Sequence, residues 1–87
     1  MDLNKEIISA IKTKKAVIGT KESMLLMKNK KCKLVVFAQN LPVELKEELE
    51  NISKMTNIPI KMFNGTNKEL GILCKKPFNI SVIAIKG

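Results

Sequence analysis

The chain has 87 residues, a formal charge of +8 and a hydrophobic content of 45%. A single domain of this length buries only about 60–65% of its unfolded surface, which leaves little room for an enclosed active site, yet the apolar content excludes a disordered tail. Sixteen basic residues, all Lys, against eight acidic ones point to a polyanion partner, nucleic acid or an anionic membrane, and the absence of Arg removes bidentate guanidinium contacts, leaving any base-edge or phosphate contacts to Lys, Asn, Thr and the backbone.

In chain order, Asp2 is placed to cap a first helix with Leu3, Ile7, Ile8 and Ile11 along one stripe. Ala16-Val17-Ile18 reads as a short strand. Gly19-Thr20 punctuates, and Lys21 to Lys28 reads as a second helix around Met24, Leu25 and Met27. The basic loop Asn29 to Lys33 leads to Leu34-Val35-Val36-Phe37-Ala38, an unbroken apolar run that suits a strand covered on both faces. Asn40-Leu41-Pro42 opens a third helix, whose early glutamates favour its positive end and whose buried stripe is Leu45, Leu49, Ile52 and Met55. Asn57 and Pro59 end it, and Ile60 to Phe63 forms a third strand. Thr66-Asn67-Lys68-Glu69 matches a capping box and starts a short helix through Leu70 and Leu73. After Cys74-Lys75-Lys76-Pro77-Phe78, Ile80 to Ile85 is a last strand, apolar on both faces and hence central. Helices alternating with strands in one small α/β domain predict a three-layer α/β/α sandwich.

Enzymatic function fares poorly. There is no His, so a base working at neutral pH has to be a shifted Glu or Lys. Glu44, Glu47, Glu48 and Glu50 fall on a helix expected to face water, and Gly19-Thr20-Lys21 lacks the upstream Gly of a phosphate loop. Cys32 and Cys74 are far apart with no ligand spacing around them, so free core thiols in a reducing cytosol are expected, with no metal and no cofactor. The polar start Met-Asp-Leu-Asn-Lys is no signal peptide, and no apolar run is long enough to span a membrane.

Three places offer binding chemistry. Gly19-Thr20-Lys21 lies between a strand and a helix start, where free N–H groups attract phosphate or base acceptors; composition alone favours a tight turn with Thr20 as an N-cap and a solvated Lys21. Asn40 is either another N-cap or an amide that meets a base edge. Phe78, beside Lys75, Lys76 and Pro77, either stacks on an unpaired base or begins the core of the last strand, whereas Phe37 and Phe63 sit within strands. Spacing alone does not gather the three places at one edge.

Val17-Ile18-Gly19-Thr20-Lys21, Lys33-Leu34-Val35-Val36-Phe37-Ala38-Gln39-Asn40-Leu41-Pro42, Phe63-Asn64-Gly65-Thr66-Asn67-Lys68-Glu69-Leu70-Gly71 and Lys76-Pro77-Phe78-Asn79-Ile80-Ser81-Val82 occur in that order. Together they resemble the archaeal and eukaryotic large-subunit ribosomal protein thirty family, within the kink-turn-binding ribosomal superfamily, over essentially the whole chain. The resemblance implies a four-stranded mixed sheet between helices, with the last strand antiparallel to the others. It implies a single kink-turn RNA-binding domain over residues 1–87, monomeric when free and cytoplasmic on the ribosome. Its partners are then ribosomal RNA and other ribosomal components, with no membrane. Carried over residue by residue, Gly19, Lys21 and Asn40 meet the sheared G·A pairs, Thr20 more weakly, and Phe78 and Ile80 pack on a flipped-out base. Lys75 and Lys76 are RNA-binding candidates from the sequence itself, as the basic loop beside Phe78. Two departures stand out. Asn79 occupies a position that is basic in some relatives, and Lys21-Glu22 stands where other kink-turn proteins have Asn-Glu. The competing readings are a kink-turn protein of another ribonucleoprotein and, from a different class, a small-molecule-binding or enzymatic α/β domain.

Overall fold

A computed structural model describes residues 2–87. Asp2 caps the first helix, α1 (Leu3–Lys12), by accepting a hydrogen bond from the Asn4 N–H, and Glu6 and Lys12 sit at the ends that suit their charges. Then follow β1 (Ala16–Ile18), α2 (Thr20–Lys28), β2 (Leu34–Ala38), α3 (Val43–Thr56), β3 (Ile60–Phe63), α4 (Asn67–Leu73) and β4 (Val82–Ile85). The capping box is complete: the Thr66 hydroxyl accepts from the Glu69 N–H, and the Glu69 carboxylate accepts from the Thr66 N–H at 3.0 Å.

The strands lie in the order β1-β4-β2-β3. β4 is antiparallel to both β1 and β2, and β2 runs parallel to β3. Because strand side chains alternate between faces, β2 and β4 feed two cores. Leu34, Val36, Ala38, Ile83 and Ile85 pack with Ile7 and Ala10 of α1 and Leu70 of α4. Val35, Phe37, Val82 and Ala84 pack with Met24 and Met27 of α2 and Leu49 and Ile52 of α3. The result is the expected three-layer α/β/α sandwich, with α1 and α4 on one face and α2 and α3 on the other. The two strands read as apolar on both faces, β2 and β4, are the two central ones, and every residue of each is buried.

Four details differ from the sequence reading. α2 begins one residue earlier, at Thr20, so the N-cap is Gly19 and not Thr20. Leu25 is exposed rather than core-facing, because Met24 and Met27 already take the inward positions of α2. Met55 is exposed as well: α3 ends one residue later, the chain reverses at Asn57 (φ 60°), and Ile58 enters the core at that end. β4 starts at Val82, not Ile80, because pairing with β2 begins at Phe37↔Val82.

Cys32 and Cys74 are both buried and free, one in each core, on opposite faces of the sheet. Burial pushes both thiols above their ordinary pKa, and the charge of Lys76 partly offsets this for Cys74. Neutral thiols of this kind are inert packing groups at physiological pH.

Candidate nucleic-acid interface

Since β4 runs against its two neighbours, its first residues share an edge of the sheet with the last residues of β1, β2 and β3. Backbone hydrogen bonds tie this edge together. The Gly19 N–H donates to Val82 O at 3.0 Å, Ala38 N–H to Ser81 O at 2.9 Å, and Gln39 N–H to Gly65 O at 2.9 Å. The β1–α2 turn, the β2–α3 loop and the approach to β4 are therefore neighbours, although Gly19, Asn40 and Phe78 are far apart in sequence.

The β1–α2 turn depends on Gly19. Its φ of 130° is costly for any residue with a Cβ, and a Cβ there runs into the Glu22 carboxylate. The Gly19 N–H is spent on β4, and no side chain caps α2. The first helical hydrogen bond comes from the Ser23 N–H to Gly19 O. The N–H groups of Thr20, Lys21 and Glu22 therefore lack intrahelical partners and carry the positive end of the helix dipole. Lys21 is exposed beside them and Thr20 is half-buried. The Glu22 carboxylate folds back over the turn. Glu22 was not among the expected site residues, although the Lys21-Glu22 pair and its place three residues after Gly19 both marked it.

Asn40 is not an N-cap. Pro42 occupies that position of α3, and no side chain caps the helix. Instead the Asn40 Oδ1 accepts from the Asn67 N–H at 2.9 Å, and the Asn40 Nδ2 donates to the Asn67 Oδ1 at 3.1 Å. The Asn67 carbonyl in turn accepts from the Ile80 N–H at 3.0 Å. This clasp links the β2–α3 loop, the start of α4 and the approach to β4. Each Asn amide has two N–H donors, so one on Asn40 and two on Asn67 remain for a ligand. Asn67 was missed because its partner is 27 residues away in sequence.

Phe78 resolves in favour of the surface: it is 51% exposed, while Phe37 and Phe63 are buried. A shallow groove of about 210 Å³ runs past it, lined by Lys68, Ile72, Lys76, Pro77 and Asn79 as well. Gly71 explains how the loop reaches this position. The Phe78 carbonyl rests directly on Gly71, where any Cβ collides with it. Ile80 departs from the expectation: at 1% exposure its side chain belongs to the core beneath α1 and α4. The apolar surface beside Phe78 is supplied by Ile72, which is 65% exposed. Lys76 lines the groove, while Lys75 stands outside it on a left-handed turn (φ 58°) and remains exposed.

The structure thus brings Gly19, Thr20, Lys21, Asn40 and the backbone leading to Ile80 to one edge, with Phe78 and Lys76 on the adjoining groove. The arrangement offers base-edge donors, an apolar stacking surface and lysines. Among the described residues, no group of three or more Cys, Asp or Glu is placed to hold a metal ion.

The solved structure of the Giardia lamblia 15.5kD RNA binding protein superposes with a TM-score of 0.88 at 20% identity, covering 98% of this chain and 71% of that one. A Bacillus halodurans protein with unknown function does so with the same TM-score and identity, over 97% of this chain and 83% of its own. At that identity they speak for the fold. In sequence, the chain is 38% identical over 85 residues to the large ribosomal subunit protein eL30 of Methanocaldococcus jannaschii, covering 98% of this chain and 77% of the relative. It is also 38% identical over 86 residues to the eL30 of Methanothermobacter thermautotrophicus, covering 99% and 88%. With a family model matching residues 1–87 and archaeal relatives of this similarity, the chain belongs to the ribosomal protein L7Ae/L30e/S12e/Gadd45 family.

Proposed function

We propose that this chain is a structural constituent of the large ribosomal subunit that binds kink-turn RNA in ribosomal RNA and stabilises its bent form. It acts as a single, monomeric RNA-binding domain on the cytoplasmic ribosome and catalyses nothing. One observation carries the reading: the uncapped α2 start at Gly19–Lys21, the Asn40–Asn67 clasp and the approach to β4 share one edge, with the exposed Phe78 on the adjoining groove.

The chemistry at each point is specific. Tandem sheared G·A pairs expose guanine acceptors and an exocyclic amine. Lys21 donates to guanine O6 or N7, the free Asn amide hydrogens reach base edges, and the α2 N–H groups meet acceptors without moving. The Glu22 carboxylate accepts from the guanine amine. Phe78, with Ile72 beside it, receives a base turned out of the bend. A bent backbone crowds phosphates, so a cationic edge binds the bent state more tightly than the straight one and shifts the population toward it.

A gel shift with a kink-turn RNA tests this against the same RNA with one G·A pair replaced. The intact kink-turn is expected to bind at least tenfold more tightly. With about four lysine contacts at roughly 0.7–0.9 each, log affinity should fall with log salt at a slope of about −3. Equal affinity for both RNAs, or a flat salt titration, contradicts the reading.

A further inference from the structure

The opposite edge of the sheet carries a second set of lysines that the kink-turn reading does not use. The end of β4 lies between the starts of β1 and β2: Ile85 pairs with Ala16 on one side and Leu34 on the other. The next residues continue that row, with Lys15, Lys86 and Lys33 flanking the ends of three adjacent strands. The Lys86 N–H donates to Lys15 O, and the Lys33 N–H to Ile85 O, each at 2.8 Å. The three line a groove of about 420 Å³ with α1, into which Lys5 also faces and where Glu6 is the sole carboxylate. Neighbouring strands lie about 4.8 Å apart, so like charges are held side by side, an arrangement that works against folding unless an anion is bound.

Two more lysines flank this edge at a cost. Lys14 (φ 59°) and Lys30 (φ 54°) take left-handed turns after α1 and α2, positions that glycine or asparagine fill with less strain. Lysines near helix ends do offset the helix dipole, but Lys33 and Lys86 sit at strand ends, where that explanation does not apply. Nor is the row an extension of the first site. β2 runs five residues between the two edges, roughly 16 Å at 3.3 Å per residue, twice the Debye length of about 8 Å at physiological salt.

We propose that this edge, centred on Lys15, Lys33 and Lys86, is a second RNA-binding surface that holds the phosphate backbone of another RNA segment while the Gly19–Asn40 edge holds the kink-turn. The choice of RNA rests on the kink-turn reading, since a domain embedded in folded RNA meets a second helix of the same particle. The site reads charge and not sequence, because it presents lysine ammoniums and no aromatic or amide set. The protein thereby joins two RNA segments across the length of its strands.

The test uses the full chain saturated with kink-turn RNA, titrated at low salt with a labelled perfect RNA duplex of about 16 base pairs. A three-component complex is expected at micromolar duplex. The combined variant Lys15→Ala, Lys33→Ala, Lys86→Ala should weaken duplex binding at least tenfold and reduce its salt slope by about 2. Its kink-turn affinity should stay within twofold and its melting temperature should not fall. Absence of the three-component complex, an unchanged duplex affinity in the variant, or an equal loss of kink-turn affinity overturns the proposal. So does equal binding of the wild type to anionic lipid vesicles and to the duplex. Failure of the kink-turn reading shows separately, as indifference to the G·A pairs in the first RNA.

Discussion

Phe78→Ala is expected to weaken kink-turn binding by about 1–3 kcal/mol, the scale of base–aromatic stacking, while barely lowering the melting temperature. Phe78 is half exposed in the free protein, so its truncation opens no cavity. Ile80→Ala, two residues on, should do the reverse. Its side chain is 1% exposed among Leu70, Ile83 and Cys74, and a buried Ile→Ala change costs about 2–5 kcal/mol of stability. Affinity measured where that variant is still folded should stay near normal. Thermal melting and RNA titration of both variants separate the two roles. A large loss of stability in Phe78→Ala with normal affinity places its ring in the core, and a binding defect in folded Ile80→Ala restores it to the RNA face.

Lys21→Ala is expected to cost about 1–3 kcal/mol of kink-turn affinity, the value of a good base contact, without affecting folding. Lys54→Ala is the matched control. α3 starts just after Asn40 and runs away from that edge, so Lys54, in its last turn, is remote from the turn at Gly19. Both side chains are exposed. Equal losses in the two variants mean that Lys21 contributes only to a diffuse positive field, and the base-contact role fails.

The elements were legible where local chemistry decides them. The run Leu34–Ala38 is buried at every residue, and the Thr66–Glu69 capping box forms as its residue types require. The α/β/α layering followed from the alternation alone. Residues fixed by distant partners were not legible. Asn40 and Asn67 meet across 27 positions, and an Asn before a helix looks the same whether it caps that helix or clasps another. Leu25 and Met55 carry apolar side chains at helical spacing, yet only the position of the sheet and the turn at Asn57 decide that they face outward. The exchange of Ile80 for Ile72 has a similar cause. Contact between the Phe78 carbonyl and Gly71 holds Phe78 against α4, where Ile72 is exposed, while the Asn67 carbonyl fixes the Ile80 N–H and Ile80 turns into the core.

The central claim, that the Gly19–Asn40 edge and the adjoining Phe78 groove are the kink-turn RNA surface, is tested most directly by following backbone amide resonances as kink-turn RNA is added. The account predicts the largest changes at Gly19, Thr20, Lys21, Glu22, Asn40, Asn67 and Phe78, and little change across the exposed glutamates of α3. Changes concentrated on α3 and β3, with the Gly19 turn and the Asn40–Asn67 clasp unmoved, contradict it.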